Sequence, residues 1–79
     1  MYSTTQLALA AFLLTIGFEL ADCAPVSRTQ AQFTFHDPAR KAVQSAEEFE
    51  RGGACPAKAM NANTRKLRRM EDAALGVGR

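Results

Sequence analysis

The sequence predicts a small, mostly α fold: two short helices, about 38–51 and 57–75, in a loose hairpin, with disordered segments and an apolar N-terminal helix. Three observations predict it. Leu7–Ala21, "LALAAFLLTIGFELA", is an apolar run interrupted by Glu19. Two later stretches repeat apolar residues at helical spacing, each with Pro before it and Gly after it. Little apolar material is left over. Beyond residue 23 the remaining 56 residues hold eight Leu, Ile, Val or Phe, which is 14%. Below about 20% a chain struggles to offset its ordering entropy by burial. A chain of 79 residues is one domain at most, and at this size a core needs a disulfide, a metal or a partner to support it.

Residues 1–23 read as a secretory signal peptide. The apolar centre has the length of a signal-peptide core and falls short of the roughly 20 residues that span a bilayer. A retained membrane anchor is the alternative, and it would bring Glu19 and Asp22 into lipid at a cost. The start, "MYSTTQ", carries no Lys or Arg, which departs from the signal pattern. Cleavage after Cys23 places Ala21 and Cys23 at the small-residue positions. Cleavage after Gly17 is the second choice and keeps both cysteines.

Residues 24–36 read as a flexible, then extended, segment. "APVSRTQAQ" is polar with one Pro. "AQFTFH" alternates Ala31, Phe33 and Phe35 with Gln32, Thr34 and His36, the pattern of a half-buried strand. No second comparable strand is apparent, so this segment is expected to rest Phe33 and Phe35 on a helix or to add to a partner's sheet.

Residues 37–79 read as a helical hairpin with a basic second helix and a flexible tail. Asp37 is placed to cap a helix with Pro38 in its first turn, and Gly52 and Gly53 end it. Ala39, Ala42, Val43, Ala46 and Phe49 share a face. In the second helix Met60, Asn63, Leu67, Met70 and Ala74 form a narrow stripe, expected to pack on Ala42, Val43, Ala46 and Phe49.

Charge is concentrated late. Net charge is +2. Residues 24–55 carry four basic and four acidic side chains, whereas residues 56–79 carry six basic and two acidic. Arg65, Lys66, Arg68 and Arg69 form a cationic cluster suited to an acidic partner or anionic lipid. No aromatic residue lies beside them to stack on bases, which argues against a nucleic-acid reader. In a secreted chain Arg68-Arg69 also resembles a dibasic processing site, and Gly78-Arg79 resembles the end of an amidated peptide precursor. A second dibasic pair, Arg40-Lys41, falls inside the first predicted helix.

Chemistry-bearing residues are sparse. Cys23 and Cys55 could close a disulfide worth roughly 3–4 kcal/mol. If Cys23 is lost, Cys55 is a free thiol or links two chains as a dimer. Cys23, Cys55 and His36 lack the paired spacing of a metal site. The sequence has no Gly-rich phosphate loop and no hydrolase or metalloprotease motif. The expectation is a small secreted, non-enzymatic protein with no cofactor or metal. It would act by binding a protein receptor or target, as a peptide precursor, effector or ligand. Its binding residues would be the basic cluster, with Phe33, Phe35 and Phe49 as apolar anchors. The alternative is a single-pass or interfacial membrane microprotein using the basic amphipathic helix, with membrane contact only if the N-terminus is retained.

Overall fold

The apolar N-terminal run is not one helix. The computed structural model, which describes residues 1–52 and 57–76, divides it into a helix, a reversal and a strand. Helix α1 spans Leu7–Thr15 and strand β2 spans Glu19–Pro25, after a first strand β1 at Tyr2–Thr4. Gly17 makes the break, with φ +111°, a conformation that glycine adopts without strain. The Gly17 N–H donates to the Leu14 carbonyl at 3.3 Å and the Phe18 N–H to the Leu13 carbonyl at 3.0 Å. This is a Schellman cap, and its usual hydrophobic contact is present because Phe18 packs against the cluster that contains Leu13.

Strand β3, Ala31–His36, lies at the centre of a three-stranded antiparallel sheet of order β1-β3-β2. Tyr2 pairs with Phe35 and Thr4 with Phe33, and the Ser3 and Thr34 hydroxyls meet at 3.0 Å. On the other side Leu20 pairs with Phe35 and Cys23 with Phe33, with a bulge at Ala21. The alternation in "AQFTFH" is fulfilled: Ala31, Phe33 and Phe35 are buried, while Gln32, Thr34 and His36 face away. The hairpin between β2 and β3 closes through residues 26–30. The Val26 N–H donates to the Gln30 carbonyl at 3.0 Å, and the Ser27 hydroxyl accepts from the Thr29 and Gln30 N–H groups.

Two helices follow, α2 at Ala42–Glu50 and α3 at Ala57–Leu75. The predicted start of α2 at residue 38 is corrected to 42. Asp37, Pro38, Ala39 and Arg40 form a turn, closed by the Arg40 N–H donating to the Asp37 carbonyl at 3.1 Å, and Pro38 takes the turn position that Pro prefers. The expected cap at Asp37 is corrected as well: Lys41 is the N-cap, with no side-chain capping bond, and Asp37 instead supports the turn that enters the helix. Its carboxylate accepts from the Lys41 and Ala42 N–H groups at 2.8 and 3.2 Å. Arg40-Lys41 therefore sits in an exposed turn ahead of the helix. Gly52 closes α2 with φ +86°, as its sequence position predicted. Gly53 lies outside the described residues.

The fold class is corrected from a mostly α hairpin to helices packed on one face of an antiparallel sheet. The reason is the contribution of the first 23 residues. Leu9, Ala10, Ala11, Phe12 and Leu13 of α1 are all buried, as expected of a short helix that is apolar on every side. Helix α1 fills the space that the hairpin reading gave to α2–α3 packing. Leu67 of α3 joins α1, Phe33 and Phe35 in one cluster, with Met60 and Met70 at its margin. Helix α2 packs on α1 instead, where the rings of Phe12 and Phe49 lie 5.0 Å apart and tilted. Val43, assigned to the packing face, is 57% exposed. The apolar N-terminal helix is nine residues long, and no described helix is long and apolar enough to cross a membrane.

Candidate functional site

Helix α3 presents the cationic cluster. Its inner stripe is the one the sequence marked: Leu67 is fully buried and Met60, Asn63, Met70 and Ala74 are half-buried. The polar member of that stripe has a partner. The Asn63 side-chain amide donates to the Thr15 hydroxyl at 2.9 Å, and that hydroxyl donates to the Ala11 carbonyl at 2.7 Å. This relay fixes α3 against the C-terminal turn of α1. With the inner stripe held, the outer face is set by helical geometry. At 100° per residue Lys58, Arg65 and Arg69 stand opposite Leu67, with Lys66 and Arg68 on the two flanks. All five are exposed. From Lys58 to Arg69 the stripe runs about 16 Å along the axis.

The other sequence-marked residues lie elsewhere. Phe33 and Phe35 are fully buried under the helices and Phe49 is half-buried against Phe12. The cations therefore have no exposed phenylalanine beside them. Cys55, Gly78 and Arg79 lie outside the described residues. The disulfide, the Cys55-linked dimer and the amidation signal rest on them. Arg68 and Arg69 lie within the helix, between Leu67 and Met70, both of which pack inward. A protease that needs extended chain at this pair would have to pull both from the core.

Two concave regions flank the sheet. A groove of about 530 Å³ runs between Leu20–Cys23 of β2 and Met70, Ala73 and Ala74 of α3. Cys23 is half-buried there. Burial pushes its thiol above the ordinary range, and the charges of Glu71 and then Asp22 push it further. A thiol held protonated is a weak nucleophile. At the end of the sheet near Gly17, a cleft of about 450 Å³ is lined by Met1, Glu19, His36, Asp37 and Pro38. Glu19 and His36 are cross-strand partners, while the Asp37 carboxylate is engaged by the Lys41 and Ala42 N–H groups. Among the described residues no three His, Cys, Asp or Glu side chains come together as metal ligands.

Sequence reasoning did not find the groove. Only its β2 wall leaves a trace in the sequence: Gly17 followed by Phe18, Leu20, Cys23 and Pro25, a strand pattern that starts in the apolar run, continues past it and is shifted once by a bulge. Comparison with family models, curated proteins and solved structures found no match to this chain.

Proposed function

We propose that the protein is a non-enzymatic binding module that presents the outer face of α3 to an acidic surface on a partner protein. The supporting observation is the exposure of Lys58, Arg65, Lys66, Arg68 and Arg69 on a helix whose opposite stripe is locked into the core. A rigid row of cations suits carboxylates at fixed positions. A fluid lipid surface needs no such pattern, and the apolar side of α3 is turned inward and not free to enter a bilayer. Contact through exposed charges of this kind accelerates association and weakens with salt.

The test is fluorescence anisotropy of the full chain with a labelled twenty-residue polyglutamate, with duplex DNA and anionic vesicles as competitors. Replacing Arg65 and Arg69 by Glu should weaken binding roughly tenfold or more. Arg28→Glu in the β2–β3 hairpin should have far less effect. Equal effects of the two changes, or displacement by DNA or vesicles before polyglutamate, would reject the α3–protein reading.

Secretion is proposed on the apolar run Leu7–Ala21, which has the length of a signal-peptide core. A cut after Cys23 would remove α1 and β1, so the secreted product and the folded full-length chain would be different molecules. The intact mass of the chain recovered from culture medium separates them. A species beginning at Ala24 supports secretion of a partner-dependent peptide, and full-length chain retained in the cell rejects it.

A further inference from the structure

We infer that the groove between β2 and α3 is a second binding site, which takes an extended basic peptide segment of a partner protein as a fourth strand. Strand β2 is the last in the order β1-β3-β2. One side of it pairs with β3, and among the described residues no strand meets the alternate N–H and C=O groups on the other side. The groove follows this open edge for four residues, Leu20–Cys23, and is roofed by Met70, Ala73 and Ala74. Its volume of about 530 Å³ falls within the range of roughly 300–1,000 Å³ typical of ligand sites. The small side chains of Ala73 and Ala74 leave room beneath the helix. An added strand points alternate side chains to opposite faces. One set would enter the apolar space beneath α3, and the other would stand beside the polar face, where Glu19 and Asp22 are exposed.

Charge selects the occupant. Glu19 and Asp22 lie on the edge strand itself. Glu71, on the α3 side, is close enough to act on Cys23 together with Asp22, and both of these charges are negative. A second copy of β2 would place four carboxylates along one seam, an arrangement that disfavours self-pairing as edge charges do in general. The same carboxylates attract a strand that carries Lys or Arg at alternate positions with aliphatic residues between them. The bulge at Ala21 further discourages edge-to-edge joining of whole sheets and leaves a short peptide as the better fit. Its carboxylates are opposite in sign to the cations on the outer face of α3.

The experiment titrates the ¹⁵N-labelled full-length chain with a fluorescein-tagged peptide of alternating Val and Arg, and with a counterpart bearing Glu for Arg. The basic peptide should shift the amides of Leu20–Cys23, Ala73 and Ala74, and the acidic one should not. Asp22→Asn combined with Glu71→Gln should weaken binding about five- to tenfold, the scale of two partly exposed charge contacts. Ala74→Trp, which fills the groove, should abolish binding while the far-UV helix signal stays intact. If that variant does not fold, the carboxamide pair decides alone. Shifts confined to Glu47, Glu48 and Glu50 of α2, equal binding of both peptides, or unchanged affinity in the carboxamide pair would overturn the proposal. So would a dimer of the unliganded chain joined through the β2 edge.

Discussion

Removing residues 1–23 should abolish the fold. The described core draws Leu9, Ala10, Ala11, Phe12 and Leu13 from that segment. Tyr2, Leu7, Leu14, Phe18, Leu20 and Cys23 pack around it. Loss of a buried Phe is worth about 3–5 kcal/mol and of a buried Leu about 2–5 kcal/mol. Phe12, Leu9 and Leu13 alone therefore account for at least about 7 kcal/mol. A chain of 79 residues has a total stability of roughly 4–12 kcal/mol. Strand β3 would also lose all of β1 and all of β2 except Ala24 and Pro25, and an isolated strand does not persist. The assay is thermal and urea unfolding of the full chain and of residues 24–79, followed by far-UV circular dichroism. The full chain should unfold in one cooperative transition. The fragment should show partial helix, from α3 above all, that melts gradually. A sharp cooperative melt of residues 24–79 would refute the reasoning, because it would mean that β3, α2 and α3 hold a core without α1.

Four smaller changes, one of them a surface control, probe the same packing. Leu67→Ala should lower stability by about 2–5 kcal/mol in urea unfolding, while Arg65→Ala on the opposite side of α3 should change it by no more than about 0.5 kcal/mol. Gly17→Ala should cost about 1–2 kcal/mol, entirely through the backbone, because a Cβ there meets nothing within 4 Å. The Cys23 thiol is raised in the folded state by burial, Glu71 and Asp22, so the folded chain holds its proton at pH values where the unfolded chain has released it. Stability should therefore fall as pH climbs from the ordinary thiol range through the raised one. Cys23→Ala should flatten that slope relative to the unmodified chain, and identical slopes would contradict the placement of Cys23 beside the two carboxylates.

Much of the local structure was legible, and the assembly was not. Helix α3 was readable to its ends because its inner stripe and terminal Gly are strong local signals, and the stripe proved to be the packed face. Asp37 was marked as the cap, a position that Lys41 takes, and Pro38 was taken as the first helical residue when it serves the preceding turn. Both roles suit the fixed φ of Pro, so sequence could not separate them. The alternation of β3 was plain, yet its neighbours were not. Strand β1 is three residues long, too short for a periodic signal, and β2 starts inside the apolar run and has its alternation shifted by the bulge at Ala21. The cationic cluster was legible because exposure of charge needs no tertiary context. The groove depends on two segments about 50 positions apart in sequence, so no local pattern announces it.

The apolar run Leu7–Ala21 carries the deepest ambiguity, and its source is physical. A signal-peptide core and a nine-residue helix whose central residues, Leu9–Leu13, are all buried place a similar demand on sequence: apolar side chains in every direction over two to three turns. Neither leaves a polar stripe from which to infer orientation. What distinguishes them lies just downstream. A leader needs small residues at a cut and tolerates a varied sequence after it. A folded chain needs a reversal and a strand that returns along the helix. Gly17 with its Schellman bonds, Phe18 closing the cap, and Leu20 and Cys23 facing Phe35 and Phe33 supply that reversal and strand in seven residues. The site preferred for cleavage, after Cys23, lies inside β2, so cutting there would divide the strand that borders the groove. A cut there and this fold would therefore exclude each other: the intact chain keeps the Leu20–Cys23 wall of the groove together with the α3 face, and a chain starting at Ala24 would lack that wall.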